Sequence, residues 1–212
     1  AFQDNGNGTH AWGDFNGDNY QDLITLSGQS TAITHLYVNN KDNTFTKVVD
    51  PIDGTDEFPG LYSGPVSWGD IDGDNDLDIL ISASKNNGTA QTLIYENLGK
   101  DKNHQFTLVS TPVDSNSDHE GDSAFTEHGL SEIFLADIDG INQLDIVLLG
   151  TNNNAGPGNS EVTSIYLNTG NNTYEKLTTP VDTDADSQGD SDFQQVNYGG
   201  GTVADLNNDG YN

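Results

Sequence analysis

Trp68-Gly69-Asp70-Ile71-Asp72-Gly73-Asp74-Asn75-Asp76-Leu77-Asp78-Ile79-Leu80-Ile81 decides how this chain folds. Counting from Asp70 as one, carboxylate side chains fall at positions one, three, five and nine, and Asp76 at seven can give its carbonyl. Gly73, at four, permits a sharp turn. An apolar run follows at once, as a buried strand requires. Odd-numbered side chains of a curling loop converge on one point. Two carboxylates about 4 Å apart repel by roughly 4 kcal/mol at an effective dielectric of about 20, so four converge only around a hard divalent cation. The alternation follows the logic of an EF-hand loop, with a strand in place of the exit helix. A cage of six or seven protein oxygens suits Ca2+ better than Mg2+.

The pattern recurs. Trp12-Gly13-Asp14-Phe15-Asn16-Gly17-Asp18-Asn19-Tyr20-Gln21-Asp22 leads into Leu23-Ile24-Thr25-Leu26, and Leu135-Ala136-Asp137-Ile138-Asp139-Gly140-Ile141-Asn142-Gln143-Leu144-Asp145 leads into Ile146-Val147-Leu148-Leu149. A fourth copy opens at Val203-Ala204-Asp205-Leu206-Asn207-Asn208-Asp209. The leading aspartates at 14, 70, 137 and 205 are spaced by 56, 67 and 68 residues, a period that means stacked supersecondary units. Each complete copy continues with Tyr37-Val38-Asn39, Tyr95-Glu96-Asn97 or Tyr166-Leu167-Asn168, which ends a strand at a turn, and then with Phe45, Phe106 or Tyr174. That makes four short strands per unit, as in the blade of a propeller. The fold class is therefore all-β: one domain over 1–212, about three four-stranded antiparallel blades and the start of a fourth, with motifs at 12–26, 68–81, 135–149 and 203–212.

Composition agrees. Only 32% of residues are hydrophobic and 24 are Gly, which suits short strands joined by tight turns. Thirty-four acids against six bases give a formal charge of −28, which argues against nucleic acid or an anionic membrane as partner. No Cys is present, so no disulfide staples the fold, and no apolar run is long enough for a membrane span. Sequons at Asn7, Asn87 and Asn171 are possible N-glycosylation sites.

On these motifs the chain resembles the FG-GAP/VCBS repeats of integrin α-subunits and of many secreted bacterial and fungal proteins. The resemblance implies a propeller, typically seven-bladed, with one calcium loop per motif-bearing blade between its first and second strands. The ligands expected are Asp70, Asp72, Asp74, Asp76 and Asp78 in the second loop, and Asp14, Asn16, Asp18, Tyr20 and Asp22 in the first. Ile141 replaces the fifth-position acid of the third loop, leaving Asp137, Asp139 and Asp145 and weak or no binding. The fourth has Asp205, Asn207 and Asp209. Its ninth-position Asp would follow Asn212, which reads as a cut edge.

Two acidic inserts, in 110–128 and 178–198, share another frame. Both follow Thr-Pro-Val, and both carry Gly at position eight, similar to thrombospondin type 3 calcium repeats. Their ligands would be Asp114, Asn116, Asp118, Glu120 and Asp122, and Asp182, Asp184, Asp186, Gln188 and Asp190, with the Glu120 and Gln188 carbonyls included. Flexible acidic loops are the alternative. The matching segment 50–58 of the first unit breaks the frame. Trp12, Trp68, Leu135 and Val203 share one repeat position and read as core between units, and the small residues after them allow close packing. The five histidines share no repeat position and no metal spacing, and read as surface residues.

Chain parity in an up-and-down blade puts the calcium loops at one end. It puts the long connections 85–91, 111–128, 151–162 and 179–198 at the other, where a ligand would meet variable loops. No Gly-x-Ser-x-Gly or His-Glu-x-x-His occurs, and Gly199-Gly200-Gly201-Thr202-Val203-Ala204 precedes a loop rather than a helix, so no enzyme is expected. Two functions stay open: an extracellular adhesion module for a glycan or protein ligand, and a structural subunit of a matrix, appendage or filament. About 3.3 units leave open blade edges, to be covered by further blades, another chain or self-association.

Overall fold

Each apolar run that follows an acidic loop becomes the second strand of an antiparallel meander. A computed structural model of the chain describes residues 8–28, 31–54, 57–85, 88–125, 129–152 and 160–179. Strands β1 (Thr9–Gly13), β2 (Asp22–Ser27), β3 (Ile33–Asn39) and β4 (Phe45–Lys47) form the first sheet in that order. The second is β5 (Val66–Gly69), β6 (Asp78–Ser84), β7 (Ala90–Asn97) and β8 (Phe106–Val109). The third is the meander β10 (Gly129–Ala136), β11 (Asp145–Asn152), β12 (Ser160–Gly170) and β13 (Thr173–Lys176), with the short β9 (Val113–Asp114) as a fifth strand at its edge beside β13. The expectation of four strands per unit is met in all three. Asn39 and Asn97 end their strands as expected, whereas β12 runs two residues past Asn168 because its pairing with β13 continues to Gly170. Among the described residues the helical element is a single 3-10 turn, Lys100–Lys102.

The second strands carry an apolar run after their opening Asp, and in β6 both faces are covered. In β6, Ile79 and Ile81 point into a core shared with the first sheet (Phe15, Ile24, Leu26, Leu36, Phe58, Phe106), while Leu80 points into one shared with the third (Ile71, Ile94, Ile146, Tyr166, Tyr174). This is the period-two alternation of a strand buried on both sides.

Consecutive sheets meet through their first strands, β1 on β5 and β5 and β6 on β10. Phe15 stacks on Trp68 at 5.9 Å with the rings 7° apart. Gly13 lies so close beneath Trp68 that a Cβ there would stand 2.6 Å from the indole ring, and one on Gly69 would stand 2.5 Å from Leu135. The small residue of one unit is thus the seat for the large residue of the next. Trp12 corrects the reading of its repeat position as core: it is 49% exposed, with edge contacts to the rings of His10 and Phe45. Trp68 is covered by residues of the unit before its own, and β1 is the first described strand. Val203 and the rest of the fourth copy lie outside the described residues, as does the second insert from residue 180 onward.

The crossovers between sheets add a contact that parity alone does not give: each fastens to the outer edge of the following sheet. Ile52 forms a parallel bridge to Phe106, with Phe106 N donating to the Pro51 carbonyl at 2.8 Å. One unit later β9 pairs in parallel with β13, and Tyr174 N donates to the Pro112 carbonyl at 2.7 Å. A proline, lacking an N–H, suits a place where only its carbonyl is used.

Trp68→Ala removes a ring held between two sheets and is expected to lower unfolding stability by about 3 kcal/mol or more, whereas Trp12→Ala should change it by less than about 1 kcal/mol. Denaturant midpoints of the two variants check this, and equal losses would contradict the packing.

Candidate metal centres

The three acidic loops share one backbone path. Positions four and six are left-handed in each: Gly17 and Asn19, Gly73 and Asn75, Gly140 and Asn142. Gly and Asn tolerate that conformation best. The first-position carboxylate accepts the amide of position six through Oδ2, at 2.6 Å (Asn19 to Asp14), 3.1 Å (Asn75 to Asp70) and 2.9 Å (Asn142 to Asp137). The third position accepts the amide of the fifth: Asp18 to Asn16 at 3.1 Å, Asp74 to Asp72 and Ile141 to Asp139 at 3.2 Å. The fifth accepts that of the seventh, Tyr20 to Asp18 at 3.0 Å and Asp76 to Asp74 at 2.8 Å. These are Asx turns in series, which hold the odd-numbered side chains on the inside of the curl. The third loop keeps the path although Ile141, 53% exposed, offers no fifth-position oxygen.

The ninth position closes the loop from the sheet. Asp22, Asp78 and Asp145 are fully buried at the starts of β2, β6 and β11. Their Oδ1 atoms accept the amides of Asn39, Asn97 and Asn168 at 2.9, 2.8 and 2.8 Å. Oδ2 of Asp78 accepts Ile71 N at 2.8 Å, and Oδ2 of Asp145 accepts Ile138 N at 2.6 Å. Asp22 Oδ2 is buried with no hydrogen-bond partner, although the Phe15 amide is near enough to favour its charge. Burial dominates the charge state. It pushes Asp78 up to about 7 against the pull of the Asn97 and Ile71 amides, and Asp22 up to about 6, with Asp18 and Asp14 adding repulsion. Asp145 is raised for the same reason, and Asp72 by burial and then by Asp74.

Oxygens of Asp70, Asp72 and Asp78 lie within 4.8 Å of one another, as do those of Asp137, Asp139 and Asp145. A cation is the chemical answer to such crowding, since each carboxylate keeps lone pairs that the amides do not use. The donors are all oxygen, which suits a hard divalent ion. In the first loop, Lys41 reaches Asp18 at 3.2 Å and lies over the Tyr20 ring at 5.0 Å, so an ion there competes with an ammonium.

The described insert folds as a fourth loop of the same path. Ser117 and His119 take the left-handed positions four and six, and Asp114 accepts Ser117 N at 2.7 Å and His119 N at 2.7 Å. Asn116 accepts Asp118 N at 3.0 Å and Asp118 accepts Glu120 N at 2.9 Å. Burial raises the Asp114 pKa, but the amides of Asn116, His119, Ser117 and Asp118 together outweigh it and hold the group below the usual range. Gly121 is explained by a close approach, since a Cβ there would lie 1.9 Å from the Thr111 carbonyl oxygen. The ninth position departs from expectation: Asp122 is exposed and accepts Ser115 Oγ at 2.7 Å. The group that converges instead is Asp114, His119 and Glu175. His119 is exposed, as read from the sequence, and its ring also stands among these potential ligands. His104 departs from the reading of the histidines as surface residues, half-buried with its ring edge-on to Phe15. His128 and the sequons Asn7 and Asn87 lie outside the described residues. Asn171 is exposed on the turn between β12 and β13.

Sequence reasoning missed two groups. Glu96 is half-buried, and burial followed by repulsion from Asp72 and Asp74 raises its pKa, so it belongs to the surroundings of the second loop. The asparagine of Tyr-x-Asn does more than end a strand. Asn97 Nδ2 donates to the Phe15 carbonyl of the first loop at 2.9 Å, and Asn168 Nδ2 to the Ile71 carbonyl of the second at 2.9 Å. Recurrence of that asparagine in three units was the available signal.

A family model described as an FG-GAP-like repeat matches residues 14–81, from the first loop through the second and into β6. No curated protein and no solved structure matches the chain.

In the absence of any cation, the folded chain holds Asp78 and Asp22 protonated at pH values where the unfolded chain, titrating near 3.9, does not. The folded form then binds more protons, so its stability rises as pH falls from about 8 to about 5. Thermal melts in EDTA across that range check the sign, and a flat or falling Tm would contradict it.

Proposed function

We propose that this chain is a calcium-stabilised part of an extracellular β-propeller that binds a ligand rather than catalysing a reaction. The observation that carries the reading is the convergence of carboxylate oxygens in loops of one path, at one place on consecutive sheets. Similarity of residues 14–81 to FG-GAP-like repeats supports it, and so do three successive four-strand meanders packed first strand to first strand. Each meander serves as a blade, and Ca2+ in its loop fastens the blade to its own exit strand. Exposed loops of this kind fill where calcium is near millimolar, which is the extracellular condition. The ligand, a glycan or an extracellular protein, meets the opposite end, where the turn 85–89 joins β6 to β7.

Self-assembly is the second reading, favoured by exposed Trp12. Its counterpart Trp68 is covered by Gly13 and Phe15 of the preceding unit, so the first sheet presents Trp12 to an equivalent seat on another copy.

EDTA is expected to lower the melting temperature and added Ca2+ to restore it. At calcium about a hundredfold above Kd, one site contributes about 2.7 kcal/mol, or roughly 5–10 °C in a chain of this size. Asp74→Ala should lose most of one such increment and Ile141→Ala almost none. A melting curve indifferent to chelation would sink the metal reading. Sedimentation velocity over a range of concentrations separates the two functions. Monomers that bind on a glycan or protein array support the first, and polymers abolished by Trp12→Ser support the second.

A further inference from the structure

We infer that Asn97 and Asn168 are positioning residues that couple neighbouring loops, so that a cation held by one loop tightens binding in the next. The inference rests on reading the loops as Ca2+ sites. Asn97 is 1% exposed and lies between two loops. Its backbone N–H donates to Asp78 Oδ1, the ninth-position carboxylate of the second loop, at 2.8 Å. Its side-chain Nδ2 donates to the Phe15 carbonyl of the first loop at 2.9 Å and to the Leu77 carbonyl at 3.2 Å, while its Oδ1 accepts Gly99 N at 3.0 Å. Phe15 stands between Asp14 and Asn16, two first-loop ligands. Asn168 repeats the arrangement one unit on, with its N–H on Asp145 Oδ1 at 2.8 Å and its Nδ2 on the Ile71 carbonyl at 2.9 Å, between Asp70 and Asp72.

A carbonyl flanked by two ligand residues cannot turn independently of them. A cation that draws Asp14 and Asn16 together fixes the Phe15 peptide, and with it the one orientation of Asn97 that satisfies every bond. That orientation also holds Asp78 toward the second loop. Both links are buried, so breaking one leaves polar atoms unpaired without water to replace the partner. Binding at either end favours the same arrangement of Asn97, and linkage makes the effect reciprocal. Asn39 is the internal control. It makes the matching bonds to Asp22, Lys41 N and the Gln21 carbonyl, and none of them reaches the loop of another sheet.

Calcium titration of the metal-stripped chain by calorimetry, with circular dichroism to confirm that each variant is folded, tests the coupling. The wild-type chain should bind cooperatively, a filled loop raising its neighbour's affinity by about fivefold. Asn97→Ala should keep the number of ions and lose that gain, and Asn39→Ala should weaken one site while leaving cooperativity in place. If Asn97→Ala does not fold, Asn168→Ala cuts the equivalent link between the second and third loops and is read the same way. Independent sites in the wild type, or cooperativity that survives both asparagine variants, overturns the coupling and leaves the loops as metal sites. A stripped wild-type chain that takes up no calcium overturns the metal reading, and the coupling with it.

Discussion

A carboxylate buried at the start of each second strand governs this architecture. Asp22, Asp78 and Asp145 each take a strand-end amide on one oxygen, and Asp78 and Asp145 take a loop amide on the other. Loop, second strand and third strand are thereby tied at one group of atoms. The tie works best with the carboxylate ionised, because a charged acceptor makes the stronger hydrogen bond, yet burial opposes that charge. The amides do not settle the conflict, one on Asp22 and two on Asp78, and burial still raises both groups. A proton or a cation does. The rest of the loop is a device for bringing more oxygens to the same place.

The local order of the chain was largely legible because turn and strand are encoded locally. Gly17, Gly73 and Gly140 mark left-handed turns, and the apolar run after each ninth-position Asp marks a core strand. The close seating of Gly13 and Gly69 also followed from size alone. What sequence could not convey is whatever depends on a neighbour. Trp12 and Trp68 occupy the same repeat position with the same flanking Gly, yet one is exposed and the other lies against Phe15. The insert hid its loop path because Ser117 and His119 stand where Gly and Asn stand elsewhere. The inter-sheet bonds of Asn97 and Asn168 span 82 and 97 residues, so the recurring asparagine marks the position but not its partner.

The formal charge of −28 is also given a spatial meaning. Much of it is gathered at loops where amides already point at the carboxylates, so repulsion is met partly by the backbone before any ion arrives. Lys41, one of only six bases, is spent beside the first loop on Asp18. The second loop has no such ammonium among the described ion pairs.

The anchors at Pro51-Ile52 and Pro112-Val113 mean that each following sheet is edged by chain lying upstream of that sheet's own first strand. An excision bounded by the strands of one sheet would carry away its interior and strand its border. One that starts just ahead of the anchoring proline would take the whole. If such arrays lengthen or shorten by duplication, the heritable module is therefore framed from proline to proline, out of phase with the sheets themselves.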